Sequence, residues 1–112
     1  GGNVQKVVVA REFTSFSELV VCDQPTRGID VGAAEFVRER MVEMRDAGKA
    51  ILLISADLAE IMSLSDSLIV MHSGKINAYF QDIKKLTEED LGFYMLGVKH
   101  MSEEEIRGAL HE

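Results

Sequence analysis

A short apolar run, Glu18-Leu19-Val20-Val21-Cys22-Asp23, closes on a carboxylate and leads into the loop Gln24 to Gly28, which holds the only proline, Pro25. An aspartate at the carboxyl end of a buried strand can orient Mg²⁺, directly or through water, in proteins that handle phosphates. The same position also suits an aspartate that bonds its own loop amides or caps the next turn. The strand end alone leaves both readings open. Asp30 follows at the start of an amphipathic stretch, where its carboxylate suits a helix N-cap. Arg27 is either an interface contact or a solvated loop arginine. Cys22 reads as an inert core residue. His72, His100 and His111 are too scattered to form a metal-ligand set. No G-x-x-x-x-G-K-[ST] loop occurs in the chain, so it lacks the lysine and amide cradle for β- and γ-phosphates.

The elements that must position these groups are readable from pattern. The β-branched content of Leu19 to Cys22 and the breaker Pro25 predict a strand ending at Asp23. Asp30 and Gly48 bracket a helix from about Val31 to Ala47, with Ala33, Phe36, Val37, Met41 and Met44 on one face. Ala50-Ile51-Leu52-Leu53-Ile54 is a continuous apolar strand, the pattern expected where both faces of a sheet are covered. Asp57 with Glu60 predicts a capped short helix through Met62. Leu68 to His72 and Ile76 to Phe80 flank Ser73-Gly74-Lys75 as a tight hairpin. Thr87 and Ser102 predict caps for helices over about 88–96 and 103–110, the acids Glu103 to Glu105 forming a solvated first turn. Asn3 to Phe13 reads as a helix, although Val7-Val8-Val9 is also a strand signal. Strand, helix and strand in the middle give a βαβ unit and an α/β class.

Composition narrows the function classes. The 112 residues allow one domain at most. With 46% hydrophobic and 28% charged residues, the composition is that of a folded domain rather than a disordered tail. A net charge of −7, with no basic run longer than Lys84-Lys85, argues against nucleic-acid binding and against a polybasic membrane patch. A lone cysteine excludes an internal disulfide and a cysteine-based zinc site. The apolar runs are too short to span a bilayer, and no leader-like segment opens the chain. A start at Gly1-Gly2-Asn3, without an initiator Met, suggests a piece of something longer.

The run Val20-Val21-Cys22-Asp23-Gln24-Pro25-Thr26-Arg27-Gly28-Ile29-Asp30 resembles the Walker B strand and D-loop of an ABC transporter nucleotide-binding domain. Gly1-Gly2-Asn3-Val4-Gln5-Lys6 looks like the end of that family's signature motif. Leu52-Leu53-Ile54-Ser55-Ala56-Asp57 is similar to its switch-loop strand, and Ser65 to Ile76 to the hairpin that follows. The four blocks keep the family's order and extend the resemblance to about Gly97. The run Thr26-Arg27-Gly28-Ile29-Asp30-Val31-Gly32-Ala33 is similar to the second nucleotide-binding domain of the tandem ATPase subunits of simple-sugar and nucleoside importers.

That resemblance implies a fold: the C-terminal half of a P-loop NTPase domain, with short parallel strands and a C-terminal hairpin flanked by helices. Residues 1–112 would be a single partial domain lacking the Walker A part. It also implies roles. Asp23 would serve Mg²⁺. Gln24 stands where the family has its catalytic Glu, and Ala56 where it has the switch His. A carboxamide orients a water but cannot take its proton, and a methyl group offers no hydrogen bond to developing charge. Gly1, Gly2 and Asn3, at a helix start, would cover ATP held by a partner nucleotide-binding domain. Asp30 would be the D-loop aspartate that crosses this interface, or simply an N-cap. ATP and Mg²⁺ would belong to the full-length protein, with neither held tightly by this segment. The implied partners are the second nucleotide-binding domain and transmembrane permease subunits at the cytoplasmic face of the membrane.

The resemblance also implies a gap, because the family's phosphate-loop strand lies between the paired strands and the final hairpin. An uncovered edge attracts pairing, so self-association to a homo-oligomer or a rearranged strand order is expected. A rival reading is a self-contained, non-catalytic α/β interaction module on an ATPase-derived scaffold.

Overall fold

The computed structural model describes residues 19–111. The expected helix over Asn3 to Phe13, and the signature residues Gly1, Gly2 and Asn3, lie outside them. The chain divides into two compact units at Ala56/Asp57.

In the first unit, β1 (Leu19–Asp23), α1 (Val31–Asp46) and β2 (Ala50–Ile54) follow in order. β1 and β2 pair in parallel, from Leu19 opposite Ala50 to Asp23 opposite Ile54. Parallel neighbours require a crossover between them, and α1 supplies it. The helix begins where Asp30 Oδ1 accepts the Ala33 N–H at 2.8 Å. It ends in a Schellman arrangement: Gly48 N–H donates to the Arg45 carbonyl at 2.9 Å and Lys49 N–H to that of Met44 at 3.0 Å. Gly48 takes φ +99°, which a side chain would resist. α1 packs on β2. Its buried residues are Ala34 and Met41, with Val37 and Met44 half-buried. Phe36, expected on this face, is instead 64% exposed, because Ala34 rather than Ala33 sets the stripe. The expectation of two covered sheet faces also fails: Leu52 is 49% exposed.

The second unit contains α2 (Leu58–Leu64), β3 (Leu68–His72), β4 (Lys75–Phe80), α3 (Glu88–Met95) and α4 (Glu103–Leu110). Asp57 Oδ1 caps α2 by accepting the Glu60 N–H at 3.1 Å. The helix runs one half-turn past the expected Met62, to a last bond from Ser65 N–H to the Ile61 carbonyl. β3 and β4 form an antiparallel hairpin whose two turn residues, Ser73 (φ 50°) and Gly74 (φ 75°), both have positive φ. That pair of signs defines the type I′ turn, whose twist matches the strands it joins. The register slips between Met71–Ile76 and Val70–Ala78, leaving Asn77 as the extra residue of a bulge.

Leu68, Val70, Ala78, Ile83 and Leu91 form the buried core of this unit, with Leu58, Ile61, Phe80, Leu86, Tyr94 and Met101 packed around it. A fully buried leucine such as Leu91, 2% exposed, contributes about 1.5–3 kcal/mol. Phe80 and Tyr94 meet edge-on with centroids 5.2 Å apart. The ion pair of Lys99 with Asp90 is half-exposed and belongs to a class worth about 0–1 kcal/mol. Apolar burial therefore dominates. α3 is capped by Thr87 and α4 by a complete Ser102–Glu105 capping box.

Among the described residues the strands form two separate two-stranded sheets, β1–β2 and β3–β4. The expected rearrangement of strand order is not adopted: each pair consists of sequence neighbours. No helix among these residues is long and apolar enough to cross a membrane.

Candidate functional site

The parallel register brings the chemically interesting residues of the first unit to one edge. Asp23 ends β1 opposite Ile54, which ends β2, so Gln24 and the Ser55-Ala56 pair both leave from the carboxyl ends of adjacent parallel strands. That edge is where open α/β sheets hold ligands. The Gln24 N–H donates to the Ile54 carbonyl at 2.7 Å, a last rung beyond the strands, and the Gln24 carbonyl accepts the Arg27 N–H at 3.2 Å across the Pro25-Thr26 turn.

Asp23 is half-buried, and its Oδ1 is shut from solvent with no hydrogen-bond partner among the described residues. The alternative of an aspartate serving its own loop is thus not realised at this oxygen. An unsatisfied buried acceptor costs about 1–3 kcal/mol, a cost that a hard cation or its bound water would offset. The oxygen therefore fits Mg²⁺ chemistry. Among the described residues no group of three or more His, Cys, Asp or Glu could hold a metal, so Asp23 would contribute one ligand to a set completed elsewhere.

Ala56 is exposed and presents a methyl group beyond the β2 end. Asp30 lies on the far side of the loop, with one oxygen engaged as the α1 cap. Gly28 beside it takes φ +75°, and Ile29 and Val31 flank it with 43% and 77% of their surfaces exposed. Arg27 is exposed. Burial pushes the Cys22 thiol up, which keeps it protonated and unreactive near neutrality. His72 belongs to the second unit, where its Nδ1–H donates to the Met95 carbonyl at 3.2 Å. That contact is structural.

Sequence reasoning missed the left-handed backbone of Gln24, φ 49°. Nothing local signals it, because glutamine is not a residue type that favours this region.

No family model matches the chain. Over 97 residues it is 48% identical to the guanosine import ATP-binding protein NupO of Bacillus subtilis, covering 87% of this chain and 19% of that protein. It is 43% identical over 97 residues to the nucleoside import ATP-binding protein NupA of Lactococcus lactis, with the same two coverages. Over 99 residues it is 40% identical to the xylose import ATP-binding protein XylG of Thermoanaerobacter pseudethanolicus, covering 88% of this chain and 19% of that protein. The chain thus spans 19% of the length of these relatives.

Proposed function

We infer that this chain, homologous over most of its length to ATP-binding subunits of nucleoside and sugar importers, is a segment of an ABC nucleotide-binding domain that helps drive import of such a solute. The observation that carries its role is the buried, unpartnered Asp23 Oδ1 at the carboxyl edge of β1 and β2.

In the full-length subunit Asp23 would orient Mg²⁺ on a bound ATP, the metal neutralising phosphate charge. Gln24 and Ala56 would leave that site without a base and without a hydrogen-bond donor at the switch position. The site holds nucleotide and does not turn it over. Gly1, Gly2 and Asn3 would cover the ATP of a partner nucleotide-binding domain that carries a competent base, and Asp30 would reach across the same interface. Permease subunits would receive the work at the cytoplasmic face. The relatives' import functions weigh against the rival interaction module.

Measured in the full-length subunit with its permease, ATP turnover should rise when Gln24→Glu and Ala56→His are combined. Removing the partner half's base should abolish native turnover, since general-base catalysis contributes about 10²–10⁴-fold. Half or more of the activity surviving that removal would refute the single-site assignment.

A further inference from the structure

We draw no further inference here: the strongest candidate, the outer face of the β3–β4 hairpin, where Ile69, Met71 and Ile76 stand half-exposed on the side away from the core, carries nothing because nothing in the structure shows what covers it.

Discussion

The imidazole of His72 lies against Gly97 so closely that a β-carbon on residue 97 would stand 2.5 Å from Nε2 and 2.9 Å from Cδ2. Gly97 also takes φ +79°, and its N–H donates to the Tyr94 carbonyl as the chain leaves α3. Gly97→Ala should therefore cost about 2 kcal/mol or more in urea unfolding, from backbone strain and the clash together. In a His72→Ala background the clash disappears and the cost should fall. Equal costs in both backgrounds would show that the ring is not the obstacle.

Asn77, the bulged residue of β4, donates from Nδ2 to the carbonyls of Tyr94 and Lys99, each at 2.8 Å, while its own carbonyl accepts the Met101 N–H at 2.9 Å. Asn77→Ala strips donors from both carbonyls and should destabilise by about 1–3 kcal/mol. Asn77→Asp should cost more, because a carboxylate has no donor and faces two carbonyl oxygens. Hydrogen exchange at the Met101 amide should accelerate in both variants.

Asp30 can be divided between its two roles. Asp30→Ala should lower thermal stability by about 1 kcal/mol through loss of the α1 cap. Asp30→Ser keeps a capping oxygen and should fold as stably as native, while removing the carboxylate proposed to reach the partner domain. If Asp30→Ser in the full-length subunit leaves ATP turnover untouched, the cap is the residue's whole function.

Asp23→Ala tests the unpartnered oxygen. Removing a buried acceptor that bonds nothing among the described residues should leave stability unchanged or raise it by about 1 kcal/mol. Mg²⁺-dependent ATP binding by the full-length subunit should fall. A large loss of stability would mean that the carboxylate serves the fold instead.

The α4 cap carries a pH dependence. The Ser102 backbone N–H donates to Glu105 Oε1 at 3.0 Å, and the Ser102 Oγ accepts the Glu105 N–H at 3.1 Å. The backbone bond first, then the Ser102 side chain, holds the Glu105 carboxyl below its ordinary range. A depressed folded pKa stabilises the cap fully above the unfolded value, and that contribution is lost as pH falls through the lower, folded value. A carbon-13 NMR titration should place the Glu105 midpoint below that of an ordinary glutamate, and Ser102→Ala should move it part of the way back. An unshifted native midpoint would contradict the capping geometry.

Much of the chain is legible without coordinates. The strand Ala50–Ile54 and the helix Glu103–Leu110 fall where their punctuation puts them, and Asp30, Asp57, Thr87 and Ser102 all cap as their residue types suggest. At the candidate site the residue types are legible too: Asp23 closes its strand, and Gln24 and Ala56 stand beyond the strand ends. Less accessible were the exposure of Phe36 and Leu52, the bulge at Asn77 and the handedness of Gln24.

The division has a physical cause. A cap, a Schellman stop or a type I′ turn satisfies its hydrogen bonds within a few residues, so the local sequence determines it. Which face of α1 or β2 is covered depends on what packs opposite, and an apolar residue such as Phe36 looks the same in sequence whether or not a partner meets it. The pairing of Asp23 with Ile54, the last rung from Gln24 and the isolation of Asp23 Oδ1 are likewise settled between β1 and β2. Residues thirty or more positions apart decide them, and that information exists only once the strands have met.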